Sequence, residues 1–421
     1  MKRQYLSRIA DKVLDAALEA SGAVLIEGPK WCGKTSTAEK KAASVLFMQD
    51  PDYTNSYLKA ADTKPSLLLK GDTPRLIDEW QMAPILWDAV RYAVDDRGET
   101  GQFILTGSAV PSDNTTLHTG TGRISRILMR PMSLFESLES TGEVSLGSLF
   151  DGKADGDCIS ILSIEALAYA LTRGGWPASI GEKENVALRR VYDYVDAVIN
   201  IDVSRIDGVE KSPARLRSLM RSLARNISST ANMSTIRRDI AADEESISEK
   251  TIGSYLNALR RIFVVEDLSA WNPAIRSKTV IRTSPKRHFT DPSIATSVLR
   301  ATPDSLLKDF NSFGLLFESL CIRDLRIYAQ AIDGEVFHYR DKSGLEADAI
   351  VHLKDGRWGA VEVKMGTKEI EAAAKNLKTL RDRINLDKMQ EPSFLMVLTC
   401  TEYGYRREDG VYIIPIGCLK D

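Results

Sequence analysis

Gly28-Pro29-Lys30-Trp31-Cys32-Gly33-Lys34-Thr35 is the stretch on which the reading of this chain turns. Its pattern, G-x-x-x-x-G-K-T, is that of a phosphate-binding P-loop. The context suits the motif. Ala23-Val24-Leu25-Ile26-Glu27 reads as a short buried strand, and a helix-compatible run follows Lys34. The glycines let the main chain turn tightly and approach phosphate closely. Successive N–H groups then converge as an anion nest at a helix N-terminus. Lys34 is expected on the β- and γ-phosphates, and the Thr35 hydroxyl on Mg²⁺. With Ser36, these residues form the expected nucleotide cradle.

A second signal is Arg75-Leu76-Ile77-Asp78-Glu79, an apolar strand that ends in two acids. Asp78 is expected to hold Mg²⁺ opposite Thr35. Glu79 is expected to polarise the attacking water as a general base. A further apolar run at residues 45–49 lies between the two motifs. It points to the branch of P-loop folds whose acidic strand is not adjacent to the P-loop strand. The next strand ends in Leu105-Thr106-Gly107-Ser108, where Ser108 could sense the γ-phosphate. Arg123 and Arg126, in Gly122-Arg123-Ile124-Ser125-Arg126, are candidate arginine fingers, toward a neighbouring subunit if not their own site. No guanine-reading Asn-Lys-x-Asp is present, which favours ATP.

At 421 residues the chain has room for two or three domains. A net charge of −2 gives no global attraction to nucleic acid or membrane, so any basic surface must be local. The five cysteines lack paired C-x-x-C spacing, which argues against a disulfide scaffold or zinc ribbon. A reducing, cytoplasmic setting is expected. No apolar run has membrane length, so no membrane partner is expected. Strands alternating with helices argue for a parallel sheet. A Gly- and Asp-rich stretch at 142–157 reads as a boundary, and breakers such as Asn272-Pro273 and Ser284-Pro285 mark another. The expected domains are 1–141, 158–270 and 286–421.

The middle segment is mostly helical. Arg217, Arg221 and Arg225 repeat on one helix face, with Leu216, Met220, Leu223 and Ile227 on the other. Ser246 and Glu249 offer a capping-box start for a later helix. Residues 262–268 could form a wing strand, so the segment reads as a winged helix-turn-helix. Between Arg205 and Arg238 there are eight basic residues and two acidic ones, Asp207 and Glu210. DNA contact is one reading, with Lys250, Thr251, Ser254 and Asn257 on the exposed face. A lid or packing module is the other.

The C-terminal segment holds Glu318 on a predicted helix, then Leu345-Glu346-Ala347-Asp348 and Ala360-Val361-Glu362-Val363-Lys364. Alternate strand residues share a face, so Glu362 and Lys364 point one way. Acids on two neighbouring strands make a hard-cation site, with Glu318, Asp348 and Glu362 as metal ligands. Lys364 would position a nucleophile there.

These motifs resemble those of the prokaryotic AAA-type ATP-binding proteins that carry a C-terminal domain of unknown function, grouped with archaeal-type ATPases. The P-loop carries the resemblance, with Leu76-Ile77-Asp78-Glu79-Trp80-Gln81, Leu105-Thr106-Gly107-Ser108, and Gly122-Arg123. So do Pro131-Met132-Ser133-Leu134-Phe135-Glu136, Gly174-Gly175-Trp176-Pro177 and the Glu-x-Asp…Glu-Val-Lys end. Trp80 and Ala347 depart from the usual aliphatic residues, and neither removes a ligand. The resemblance implies an α/β chain: an AAA-like P-loop NTPase domain with a parallel sheet, a helical and winged-helix middle, and a restriction-endonuclease-like C-terminus. ATP and Mg²⁺ are the expected cofactors. DNA and a protein partner, or further copies of the chain, are the expected classes of partner. A Mg²⁺-dependent ATPase governing a DNA-directed module is the leading reading. A nucleotide-dependent switch with a non-cleaving nuclease fold and an ATP-binding transcriptional regulator are its rivals.

Overall fold

The computed structural model describes residues 4–108, 119–203, 211–241, 248–273, 284–385 and 389–421. The chain divides into two compact units. The first comprises Met1–Pro131, Asp202–Glu210 and Asn257–Val264, and the second comprises the rest.

The first unit runs α1 (Ile9–Ala20), β1 (Ala23–Glu27), α2 (Lys34–Lys41), β2 (Ser44–Phe47), α3 (Thr54–Thr63), β3 (Arg75–Asp78), α4 (Ile85–Arg97), β4 (Phe103–Gly107) and β5 (Ile124–Leu128). Its five strands are parallel, in the order β2-β3-β4-β1-β5. The acidic strand β3 is therefore separated from the P-loop strand β1 by β4. Successive strand residues point to opposite faces, and the core divides accordingly. Val24, Ile26, Leu76 and Ile104 pack with Leu14, Leu18 and Ala38 from α1 and α2. Leu25, Ile77, Phe103 and Leu105 pack with Leu86, Trp87 and Val90 from α4. With both faces covered, the strands read as continuous apolar runs. The loops that follow β1, β3 and β4 emerge at one edge, the C-terminal edge of the sheet.

The second unit begins with β6 (Val144–Ser145), α5 (Leu146–Phe150) and β7 (Cys158–Ile159), followed by helices α6 (Ile164–Arg173) and α7 (Glu184–Ala197). Next come α8 (Pro213–Arg225), α9 (Met233–Ala241) and α10 (Glu249–Arg261), the last of which runs on into the segment assigned to the first unit. Helices α11 (Pro292–Leu299), α12 (Pro303–Lys308) and α13 (Phe310–Gln330) precede β8 (Gly334–Arg340), β9 (Glu346–Leu353) and β10 (Trp358–Lys364). The unit closes with α14 (Ile370–Arg383), β11 (Phe394–Thr399), β12 (Tyr403–Arg406), β13 (Tyr412–Pro415) and β14 (Leu419–Lys420). Seven strands form one mixed sheet, β7-β12-β13-β11-β10-β9-β8. Ile350, Trp358, Ala360 and Val397 on one face pack with Ala373, Ala374 and Leu377 of α14.

Short pairings occur at two of the stretches singled out in the sequence. The stretch 142–157, read as a boundary, leads directly into the C-terminal sheets: Val144 pairs with Leu419, and Ile159 with Tyr403. Two-residue strands carry no periodicity by which to find them. The wing strand expected at 262–268 is replaced by isolated bridges, Val265 with Phe289 and Leu268 with Lys286. Arg217, Arg221 and Arg225 lie exposed along α8, with Leu216, Met220 and Leu223 buried, as the helical spacing requires. Lys250, Ser254 and Asn257 are exposed on α10, whereas Thr251 is half-buried. Arg205, Asp207, Glu210 and Ser246 lie outside the described residues.

The motifs at 132–136 and 174–176 organise a buried polar network. Arg323 bridges Asp291 at 2.9 Å and Asp324 at 2.7 Å, with all three side chains buried. Asp324 accepts the Leu134 N–H at 3.0 Å, and Asp291 accepts the Gly175 N–H at 3.0 Å. A Cβ on Gly175 would lie 2.0 Å from the Met132 carbonyl oxygen, so only glycine lets these two stretches of chain meet.

Candidate functional site

The P-loop leaves β1 at Gly28, whose φ of 152° and 2.1 Å approach of a would-be Cβ to the Met129 carbonyl require glycine. It ends at Gly33, φ 101°, which forms the N-cap of α2. Lys34 is buried, and its ammonium donates to the carbonyls of Gly28 at 2.9 Å and Pro29 at 2.8 Å. Lys30 pairs with Asp202 at 2.5 Å. Cys32 is buried, with its thiol on the Met129 carbonyl, whereas Trp31 at the loop tip is 54% exposed. Ser36 is exposed on the first turn of α2.

Thr35 donates to Asp78 Oδ1 at 2.7 Å, and Thr106 donates to the same oxygen at 2.6 Å. Gln49 donates to Asp78 Oδ2 at 3.1 Å. The sheet order explains this convergence: Asp78 is in register with Thr106 on β4 and Phe47 on β2. Glu79, directly after β3, has a left-handed backbone, φ 56°. Gln81 and Ser108 both donate to Glu79 Oε2, Ser108 at 3.3 Å. The expected γ-phosphate sensor thus contacts the expected base.

Both candidate arginines are paired with acids of their own unit. The Arg123 carbonyl accepts the Ala23 N–H at 3.1 Å, at the start of β1, and its guanidinium pairs with Asp95 at 2.7 Å. The rise of β1, about 13 Å, separates that edge from the P-loop. Within its own chain Arg123 is therefore remote from the P-loop. Arg126 pairs with Glu27 at 3.3 Å and lies over the Trp87 ring. Burial raises the Glu27 pKa against this pairing.

Sequence reasoning missed Arg8. Its guanidinium donates to the carbonyls of Cys32 at 2.7 Å and Arg130 at 2.8 Å, tying the P-loop to the end of β5. It also missed Gln49 and Gln81, whose roles depend on strand order and on a turn after β3.

In the second unit the expected acids do come together. Ile350 lies opposite Ala360 in the antiparallel β9–β10 pair, and continuing that register sets Asp348 opposite Glu362. Lys364 lies 2.7 Å from Glu362 and 3.4 Å from Asp348. Glu318 joins from α13 through Lys286, a residue with no sequence signal, whose ammonium lies 2.7 Å from Glu318 and 3.1 Å from Asp348. Asn376 caps the other Glu362 oxygen at 2.6 Å. Burial pushes the Glu318 carboxyl up to about 8, with Asp348 adding to the rise and Lys286 opposing it. Burial also pushes Glu362 up to about 7, again with Asp348 adding. Asp348 is buried, yet the two lysines hold it below the usual carboxylate range. Among the described residues, no group of three or more His, Cys, Asp or Glu side chains is placed to hold a metal ion. Ammonium groups stand between the carboxylates instead.

Residues 20–138 match the AAA domain family. Over that stretch the first unit is similar to AAA domains. Residues 164–305 match a domain of unknown function, DUF8612, and residues 313–419 another, DUF4143. An uncharacterized protein of Mycobacterium bovis is 26% identical over 356 residues, which is 83% of this chain and 72% of that protein. An uncharacterized protein of Mycobacterium tuberculosis matches to the same extent. Among solved structures, a Walker-type ATPase of Pyrococcus abyssi is 16% identical, with a TM-score of 0.43, covering 70% of this chain and 96% of its own. No helix among the described residues is long and apolar enough to cross a membrane.

Proposed function

We propose that this chain is a cytoplasmic Mg²⁺-dependent ATPase whose nucleotide state governs a DNA-directed module formed by the helical middle and the C-terminal α/β segment. The convergence of Thr35 and Asp78 beside the buried Lys34 carries the reading. A hydroxyl and a carboxylate are hard oxygen donors suited to Mg²⁺, and main-chain N–H groups at a helix N-terminus suit phosphate. Mg²⁺ bound with the triphosphate supplies charge neutralisation there. Lys34 would exchange its two loop carbonyls for phosphate oxygens. Glu79, held by Gln81 and Ser108, would orient water and take its proton. Arg123 would complete such a site only from a neighbouring copy.

The three-part division at 1–141, 158–270 and 286–421 is retained as a functional one: nucleotide, helical and nuclease-like segments. For the last, a non-cleaving role is the reading favoured by the lysine between Glu318 and Asp348. The deciding experiment is ATP titration of the parent chain and of Lys34→Ala. The parent should bind and the variant should lose tight binding, since the triphosphate loses its matched cation. Equal affinity in the two proteins would overturn the assignment.

A further inference from the structure

The acidic cluster of the second unit carries its own cations. Lys286 is the informative one, because it belongs to neither β9 nor β10. Its backbone is fixed by reciprocal hydrogen bonds with Leu268, 2.9 Å and 3.0 Å, so the side chain starts from an anchored position. The side chain is 7% exposed and ends between one oxygen of Glu318 and one of Asp348. The remaining Asp348 oxygen accepts the Val363 N–H at 2.9 Å and faces Lys364. Glu362 is divided between Lys364 and Asn376.

A divalent ion at these carboxylates would need the oxygens that Lys286 occupies. It would also sit beside a buried ammonium, and like charges at such range repel strongly where solvent is excluded. The donor set therefore does not fit the hard cation that a nuclease-like fold implies. We propose that Lys286 is a built-in counter-cation that takes the place of a divalent metal between Glu318 and Asp348, so that the C-terminal cluster is a metal-independent site. Removing the ammonium uncovers a divalent-cation site made of the same carboxylates. The inference extends the non-cleaving reading of this segment and does not depend on ATP binding by the first unit.

The test uses the full chain without nucleotide and Mn²⁺ alone as probe, followed by calorimetry and by the electron paramagnetic resonance of free Mn²⁺. Four proteins are compared: parent, Asp348→Asn, Lys286→Met, and Lys286→Met with Asp348→Asn. Any weak binding at the P-loop is common to all four and cancels. The parent and Asp348→Asn should give the same isotherm. Lys286→Met should gain one Mn²⁺, bound at least about tenfold more tightly than any the parent takes up, and the double variant should lose it. Parent binding that disappears in Asp348→Asn would overturn the proposal, as would a folded Lys286→Met chain that gains no metal. If circular dichroism shows Lys286→Met unfolded, the parent and Asp348→Asn isotherms decide alone: identity supports the proposal, and an Asp348-dependent site refutes it. A chain that failed to bind ATP would leave these comparisons unchanged, so the two failures are distinguishable.

Discussion

Glu79 combines an unusual backbone with two side-chain donors. A left-handed φ at a glutamate costs energy that the surroundings must offset, and such positions gather at functional sites. Replacing Glu79 by Gln preserves shape and removes the base. ATP should still bind, while turnover falls by about 10²-fold or more in a steady-state phosphate-release assay. Parent-like turnover would move the water-orienting role to another residue. Gly175 is a different case, where the side chain must be absent. The would-be Cβ meets backbone atoms of Met132 at 2.0 Å and 2.6 Å, which cannot rotate away. Gly175→Ala should lower stability by about 1–3 kcal/mol or more, read from the urea midpoint.

Asp291 shows how one side chain joins several elements. It caps α11 by accepting the Ser293 N–H at 2.9 Å, and it also accepts from Gly175 and Arg323. Asp291→Ala strips the cap and leaves Arg323 with Asp324 as its remaining carboxylate partner in this network. Breaking a buried pair in this way costs about 3–5 kcal/mol, and chemical denaturation should show it. Unchanged stability would mean the network relaxes without penalty. Helix α8 poses a functional question at the same scale. Its three arginines are exposed in a row, and Arg217 pairs with Asp196 of α7 at 3.1 Å. If the row binds phosphates, Arg217→Ala, Arg221→Ala and Arg225→Ala together should weaken DNA binding across sequences. The slope of log K against log salt should shrink by roughly 0.9 for each phosphate no longer neutralised. Affinity that is constant at several salt concentrations would leave α8 as a packing element.

For the whole molecule, the pH dependence of stability has an identifiable source in His338. It is buried on β8, and burial, reinforced by the Lys286 ammonium, lowers its pKa from 6.5 to about 4. The unfolded imidazole takes up a proton below about 6.5, while the folded one stays neutral until about 4. At this imidazole the unfolded state therefore binds more protons in that window, and the stability it contributes falls as pH drops through it. His288, also buried with its pKa lowered, acts in the same direction. Each group contributes about 1.4 kcal/mol per pH unit at most. Glu318 and Glu362, whose pKa values burial raises, act in the opposite sense over this range, so the His338 contribution is read by difference: from pH 7 to pH 4 the urea midpoint of His338→Leu should rise relative to that of the parent. An identical pH profile in that variant would assign the acid sensitivity elsewhere.

The strand–loop–helix form of the P-loop was legible because such a loop is local. The dihedral angles of consecutive residues and the glycines at 28 and 33 suffice to define it, whatever the rest of the chain does. The separation of the acidic strand from the P-loop strand was legible for a related reason: apolar runs show which strands exist, and a P-loop fold has few ways to order them. The convergence of Asp348, Glu362 and Lys364 follows from the period of two along a strand, given that β9 and β10 are neighbours. Charge partners are a different matter. Lys286 is 62 residues from Asp348 and 32 from Glu318, and Arg8 is 122 residues from the Arg130 carbonyl it holds. No spacing rule links such positions, since they meet only through the packing of separate elements. The same holds for Arg123, whose residue type suggests phosphate chemistry and whose place at the start of β5 sets it at the far edge of the sheet. Sequence alone determined that a P-loop and acid-bearing strands exist. Tertiary packing decided which charges neutralise one another, because an ion pair is settled by distance in space and by exclusion of water.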